Sequence, residues 1–194
     1  RAAQRLDALH HSRGRVLNYS GSGIETTFTQ DEDACLAAWV PQMPAAAPSA
    51  PGSLLVVATQ PEVVEDRFPR MRRALGIPAV RFSPPRHATD LPPVGPNTSI
   101  LLAQPFLADT ARMLEARGAR RLAAPFPFGE EGTTAWLRAA ADAFGVAPTH
   151  FDRITRPGRE RARLALARQR ALLEGKRIFF FPDSQLEPPL ARFL

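Results

Sequence analysis

Short apolar runs alternate along the chain with longer stretches that are apolar on one face, and this alternation predicts parallel α/β layers. One run, Ser53–Thr59, is apolar almost throughout, as expected for a strand covered on both faces. The predicted strands are Arg15–Tyr19, Ser53–Thr59, Ala79–Phe82, Ser99–Gln104, Arg121–Ala124 and Lys176–Phe181. The predicted helices are Arg1–His11, Thr29–Val40, Glu62–Leu75, Pro105–Arg117, Thr134–Phe144, His150–Glu174 and one from Leu186 onward. A break of the long helix at Pro157-Gly158 is left open.

Residues Pro41–Gly52 are rich in Pro, Ala and Ser and have no period, a composition typical of a linker. We therefore predict a domain boundary there. Residues 1–40 would end a first Rossmann-like domain, 53–150 would form a second, and 151–194 would hold a connecting helix and the start of a third. Because the chain begins on Arg1 and ends within an apolar, helix-like run, it is interpreted as an internal fragment of a larger subunit.

The basic residues exceed the acidic ones, and the formal net charge is +6. Of the 25 basic residues all but Lys176 are arginine, a bias that usually reflects genome composition. No aromatic residues are interleaved with the arginine clusters to stack bases, so no nucleic-acid partner is expected. The arginines from Arg153 to Arg170 indicate a solvated helix face, with an acidic protein partner as the functional alternative.

A single cysteine, Cys35, excludes an internal disulfide and fits a reducing, cytoplasmic setting. One thiol cannot hold a zinc ion or an iron–sulfur cluster, and His10, His11, His87 and His150 lack metal-ligand spacing. We therefore expect no metal ligand and no catalytic residue, and interpret Cys35 as a small core residue. No apolar run approaches the ~20 residues that cross a bilayer, and the polar first residues are not expected to form a signal peptide.

A loop after a predicted strand is the strongest candidate site, because doubly wound sheets open their ligand crevice at the carboxyl ends of strands. Its glycines permit close approach of the backbone to a ligand. One of its threonines is expected to cap the next helix and present free N–H groups, and its phenylalanines supply an apolar wall. An ordinary capped connection without a ligand is the alternative. The candidate residues are Phe126, Phe128, Gly129, Gly132, Thr133 and Thr134.

Two other turns follow predicted strands. Ser20–Gly23 is similar to a dinucleotide fingerprint, but Thr26 stands where that pattern needs its third glycine. An ordinary βα turn is therefore favoured over nucleotide binding. In the turn Pro182–Gln185, Asp183 is interpreted as a helix cap rather than as a proton donor.

Three segments together carry a resemblance to a known family. They are Gly21-Ser-Gly-Ile-Glu-Thr-Thr-Phe-Thr-Gln30 with Asp33, Ala124-Pro-Phe-Pro-Phe-Gly-Glu-Glu-Gly-Thr-Thr134 with Trp136, and Phe179-Phe-Phe-Pro-Asp-Ser-Gln-Leu-Glu187 with Ala191-Arg-Phe-Leu194. In this order and spacing the chain resembles the N subunits of light-independent (dark-operative) protochlorophyllide reductases, in their bacteriochlorophyll-making form. That family is itself similar to nitrogenase component 1. The resemblance extends over essentially the whole chain and is weakest at Pro41–Gly52 and Ser83–Asn97.

The resemblance implies a subunit of three Rossmann-like domains that pairs with a B subunit in an N₂B₂ heterotetramer. It implies a separate L₂ iron protein that binds and hydrolyses ATP and passes electrons, with ferredoxin as donor, to a [4Fe–4S] cluster. The cluster would then reduce the C17=C18 double bond of protochlorophyllide in bacteriochlorophyll and chlorophyll biosynthesis, the pathway that serves photosynthesis.

The resemblance also implies that the reacting groups lie elsewhere. In the family the N subunit gives three cysteine ligands to the cluster, all N-terminal to the matched region, and the B subunit supplies the remaining ligand and the proposed catalytic aspartate. Neither Cys35 nor Asp183 therefore inherits a role, and scaffold, partner interface and part of an apolar pocket remain for this chain. The alternatives are a stand-alone nucleotide-binding Rossmann domain and a non-catalytic interaction module with a basic face.

Overall fold

The computed structural model describes residues 28–58, 70–71, 73–104, 106–181 and 186–194. Several predicted features lie outside these residues, so the structure does not bear on them. They are the helix Arg1–His11, the strand Arg15–Tyr19, the turn Ser20–Gly23, and the turn Pro182–Gln185 with Asp183.

A parallel sheet lies at the centre of the described residues and confirms the predicted α/β class. Its strands are β1 (Ser53–Val57), β2 (Ala79–Ser83), β3 (Thr98–Leu102) and β4 (Arg120–Arg121). They lie in the order β2-β1-β3-β4, and every neighbouring pair is parallel. Leu54 on β1 is in register with Val80 on β2 and with Ser99 on β3. Because β1 and β3 are buried on both faces, their sequences are mostly apolar and do not alternate with polar residues.

Helices occupy most of the remaining described chain. They are α1 (Phe28–Trp39), α2 (Ala108–Ala116), α3 (Gly129–Ala143), α4 (Pro148–Leu173) and α5 (Glu187–Phe193). Short 3₁₀ turns cover Val40–Gln42 and Ala88–Asp90. Most of the predicted helix Glu62–Leu75 lies outside the described residues, and residues 73–75 are helical. No helix among the described residues is both long and apolar enough to cross a membrane.

The core forms where the helices bury one face against the sheet. Trp136 and Ala140 lie one turn apart on α3 and are both about 2% exposed, as expected for an amphipathic helix. Phe151 at the start of α4 is fully buried, and the Arg138 guanidinium lies 3.8 Å from its ring centroid. Arg138 Nη2 also donates to Asp152 Oδ1 at 2.9 Å. These contacts fix α3 and α4 against each other.

A buried carboxylate joins α1 to α2. Asp33 accepts hydrogen bonds from the backbone N–H groups of Asp109 (2.8 Å) and Thr110 (2.9 Å), and from the Thr110 hydroxyl (2.6 Å). The residue before α2, Leu107, has no side chain that can cap, so Asp33 satisfies the free N–H groups of that helix from a distant part of the sequence.

Segment 41–52, predicted as a linker, is attached to the sheet unit by hydrogen bonds. Ala46 N–H donates to Val94 O at 2.9 Å, and the Asn97 side-chain amide donates to the carbonyls of Pro48 and Ala50 at 2.8 Å each. The domain boundary at this segment stays a prediction, but the segment itself is not a free tether.

Two local predictions are wrong, and the open question of a break in the long helix is answered. Lys176–Phe181 is not a strand, because no described strand lies beside it to accept its backbone hydrogen bonds. The long helix does not break at Pro157: α4 continues through it, since a proline removes a single helix bond and residues 156–158 are exposed.

Cys35 is half-buried rather than part of the core. The buried positions of α1 include Asp33, Leu36, Ala37 and Val40 just beyond its end, at helical spacing. Cys35 follows Asp33 by two residues, and two residues rotate a helix by about 200°. Its side chain therefore leaves α1 on the side away from that stripe.

Candidate functional site

The first turns of α3 lie beyond the carboxyl ends of β3 and β4, the edge of the sheet where the sequence predicted a site. A buried tryptophan fixes this position, because Trp136 Nε1 donates to the carbonyl of Leu102 at 2.7 Å. The side chain that anchors α3 therefore reaches back to the last residue of β3. Its N–H has a partner inside the core, as a buried indole requires.

The predicted cap is wrong, and most of the predicted loop is helical. α3 begins at Gly129, so Thr133 and Thr134 lie inside the helix rather than ahead of it. Thr134 Oγ1 donates to the Glu130 carbonyl at 2.7 Å, one turn back, and the residue before the helix, Phe128, makes no capping bond. Gly129 adopts φ +68°, a backbone angle that a residue with a side chain rarely adopts, and this permits the early start.

Gly132 is needed for close packing. It is buried, and a Cβ built on it would lie 2.7 Å from the carbonyl oxygen of Phe126. That carbonyl in turn accepts from the N–H of Phe128 at 2.8 Å, which closes the turn leading into α3. The absence of a side chain at Gly132 thus lets the helix lie directly against the turn that carries both candidate phenylalanines.

The aromatic rings at this turn extend to α5. The rings of Phe126 and Phe128 are stacked with centroids 6.1 Å apart, and Phe193 on α5 meets Phe128 edge-on at 5.1 Å. The Phe193 ring also covers Gly129 so closely that a Cβ there would overlap it. The sequence did not predict a role for Phe193, because nothing local to Glu187–Phe193 indicates which helix start it packs against.

An ion pair also joins α5 to the start of α3. Arg192 on α5 pairs with Glu131 in the first turn of α3. The hydrogen bond from Arg192 lowers the pKa of the Glu131 carboxyl below its ordinary value of 4.5. Both side chains are largely exposed, so the pair orients α5 more than it stabilises the fold.

Two cavities adjoin this region, and each is lined by one of the two candidate phenylalanines. Phe126 lines a cavity of about 460 Å³ at the carboxyl ends of β3 and β4, together with Gln104 and Arg121. Phe128 lines a larger cleft of about 740 Å³ between α3, α4 and α5. Gly129, Gly132, Thr133 and Thr134 line neither cavity. These four residues position the turn that carries Phe126 and Phe128 but do not line a cavity themselves.

The larger cleft is lined by both apolar and charged side chains, a combination that the sequence patterns did not indicate. Its volume lies within the ~300–1,000 Å³ typical of small-molecule sites. Its apolar lining residues are Phe128, Leu166, Leu173, Ile178, Phe180, Ala191, Phe193 and Leu194. Its basic lining residues are Arg163, Arg170, Lys176 and Arg192, and its acidic ones are Glu130, Glu131 and Glu174.

The described residues do not fit an iron–sulfur cluster. Cys35 stands alone on α1, and nowhere in the described ranges do three or more His, Cys, Asp or Glu side chains meet at metal-binding distance. A cluster needs several such ligands. No step of a reaction is therefore assigned to a metal group held by these residues.

The sheet and its carboxyl-edge crevice define an α/β unit of the Rossmann type. Within that class, the sequence matches the nitrogenase component 1 type oxidoreductases over residues 5–194. The chain belongs to this family, which confirms the resemblance found in the sequence.

Three similar proteins have names that agree with this family. Over all 194 residues the chain is 67% identical to the light-independent protochlorophyllide reductase subunit N of Rhodospirillum rubrum, and covers 44% of that protein. It is 66% identical to the protein of the same name from Rhodopseudomonas palustris strain BisB5 and 62% identical to that of Rubrivivax gelatinosus, covering 45% of each. The chain thus spans less than half the length of the relatives it matches.

Proposed function

We infer that the chain is part of the N subunit of an ATP-dependent iron–sulfur reductase. That enzyme reduces the C17=C18 double bond of protochlorophyllide in bacteriochlorophyll biosynthesis. The observation that carries this proposal is the 67% identity to a subunit N that extends over the whole chain without a gap in coverage. Identity at this level, over a length that includes both the sheet and the candidate site, favours retention of the relative's role.

Within that enzyme the segment supplies scaffold, partner interface and part of the substrate pocket. A planar tetrapyrrole needs a largely apolar slot with few polar anchors. The cleft between α3, α4 and α5 offers aromatic walls at Phe128, Phe180 and Phe193, and basic and acidic side chains also line it. Phe126 and the turn packed on Gly132 support that wall from behind.

The reacting groups lie outside this segment in the proposal. The [4Fe–4S] cluster is held by cysteines that precede these residues and by the B subunit of an N₂B₂ heterotetramer. The separate L₂ protein binds ATP and delivers electrons, in the cytoplasm. The segment alone is accordingly not expected to be active, because the described residues offer no ligand set for the cluster.

A chimeric subunit tests the function. The present chain replaces the matched residues of the Rhodospirillum rubrum subunit N, which is then assembled with its own partner subunits. We expect the complex to reduce protochlorophyllide at a rate within about tenfold of the unaltered enzyme, measured by the absorbance of the product. A complex that assembles with a full cluster content and does not reduce protochlorophyllide would refute the assignment.

Two phenylalanine variants in the same complex test the pocket. Phe128→Ala removes a ring that lines the cleft and is expected to weaken protochlorophyllide binding several-fold in an absorbance titration. Phe179→Ala removes a ring that is 85% exposed and does not line the cleft, so it should leave the affinity unchanged. Equal affinities of the two folded variants would remove Phe128 from the pocket.

A further inference from the structure

Three arginines of α4 line a small polar cavity beside the first turn of α3. They are Arg156, Arg159 and Arg163, and the cavity has a volume of about 220 Å³. Their spacing of three and four residues places them on one face of the helix, about 10 Å apart from first to last. The remaining lining residues are Glu130 on α3 and Glu160 on α4.

These guanidinium groups are poorly satisfied by the protein. Arg156 and Arg163 make no ion pair within the part of the chain that the structure describes. Arg159 contacts Asp152 at 3.4 Å through Nη2, while its Nε is buried and finds no hydrogen-bond acceptor among the described residues. Arg156 and Arg163 are exposed and line the cavity without an ion pair, so their N–H groups are available to an acceptor from solution.

The two carboxylates do not neutralise the cavity. Glu130 lies in the first turn of α3, where free backbone N–H groups offset a negative charge, and it also contacts the Thr134 hydroxyl at 3.5 Å. Glu160 is the other carboxylate, so the cavity is lined by three arginines and two carboxylates. The rest of α4 adds to the positive field, since the helix has seven arginines and two acidic residues.

We propose that Arg156, Arg159 and Arg163 form a binding site for a small oxyanion group, a phosphate or a carboxylate. Arginine binds such groups with paired N–H donors, and three guanidinium groups around one cavity can share a single anion. The volume is below the ~300 Å³ at which sites for whole small molecules begin, so a single anionic group fits better than a larger ligand. The cavity shares Arg163 and Glu130 with the larger cleft, but the proposal does not rest on the reductase function.

Calorimetric titration of inorganic phosphate into the intact subunit, in a low-salt chloride buffer, tests the site. We expect saturable binding with one phosphate per subunit. The double variant Arg156→Gln/Arg163→Gln should lower the affinity roughly tenfold or more, as the loss of charge-assisted hydrogen bonds predicts. Arg159 is left in place because it contacts Asp152, which also accepts a hydrogen bond from Arg138 on α3.

A second double variant controls for net charge. Arg161→Gln/Arg168→Gln removes the same number of charges from the same helix, and these side chains are exposed like those of Arg156 and Arg163, but neither lines the cavity. It should bind phosphate nearly as well as the unaltered subunit. Succinate serves as the carboxylate probe: the same dependence on Arg156 and Arg163 with succinate alone would identify a carboxylate as the ligand. Absence of saturable binding by both probes, or equal losses in the two double variants, would overturn the proposal.

Discussion

Replacing Gly132 with alanine tests how closely α3 approaches the turn before it. A Cβ at this position would lie 2.7 Å from the Phe126 carbonyl oxygen, closer than real side chains come to backbone atoms. Because that oxygen belongs to the backbone, the turn itself has to move, and overpacking of this kind costs about 1–3 kcal/mol. Alanine also favours a helix over glycine by about 1 kcal/mol, which partly offsets the clash.

Gly158 in α4 provides the matched control. It too lies inside a helix, but a Cβ there would meet only the end of the Arg161 side chain, at 3.9 Å. Gly158→Ala should therefore stabilise the protein by up to about 1 kcal/mol. The gain in helix propensity is common to both variants, so the difference between them isolates the overpacking, about 1–3 kcal/mol.

Urea unfolding of the intact subunit, followed by tryptophan fluorescence, measures both variants. The signal includes Trp136, which is buried one turn after Gly132 on the same helix. We expect the Gly132→Ala transition at lower urea and the Gly158→Ala transition at slightly higher urea than for the unaltered subunit. If Gly132→Ala were as stable as Gly158→Ala, the close approach to Phe126 would be refuted.

Four further outcomes are expected. Asp33→Ala should destabilise the subunit by about 1–3 kcal/mol in urea unfolding, since α2 loses its cap; an unchanged midpoint would exclude the cap. Cys35→Ser should change the free energy of unfolding by no more than about 0.5 kcal/mol, because the side chain is half-buried outside the core. A larger loss would show that Cys35 packs in the core. The ion pair of Glu131 with Arg192 should persist above the ordinary carboxyl pKa of 4.5 and be lost as the pH falls through the lowered pKa of Glu131. A carboxyl NMR titration should show that the pKa of Glu131 rises again in the Arg192→Gln variant. No rise in this pKa would exclude the pair. Anaerobic reconstitution of the chain with iron and sulfide should give no stoichiometric cluster in metal analysis, whereas a bound [4Fe–4S] would contradict the single-cysteine argument.

The sheet was predictable because its strands differ from their surroundings in the sequence itself. Ser53–Val57 and Thr98–Leu102 are short apolar runs between helical stretches, and their burial on both faces follows from that pattern. The run at Lys176–Phe181 is as apolar, yet it forms no strand here. A strand needs a neighbour for its backbone hydrogen bonds, and a local pattern does not report whether one is present.

Contacts between distant residues were not predictable in the same way. Asp33 and Thr110 are 77 residues apart, and nothing near either residue indicates the other. The start of α3 was missed for a local reason: Thr133 is a good capping residue, whereas Gly129 begins the helix with a backbone angle that the residue type permits but does not require. The sequence thus predicted the edge of the sheet that holds the candidate site, but not which side chains line it.

The cleft wall is positioned by residues that do not line it. Trp136 ties α3 to the last residue of β3, and Gly132 lets the preceding turn lie against the helix. Because Phe128 belongs to that turn and packs on Phe193, a shift of α3 moves the aromatic wall and α5 together. Substitutions at Trp136 or Gly132 are therefore expected to change ligand affinity through the position of Phe128, although neither residue lies in the cleft. Affinity would then fall together with the stability of α3, whereas Phe128→Ala would lower affinity with a smaller loss of stability than a Trp136 substitution, since Phe128 is 38% exposed and Trp136 only 2%.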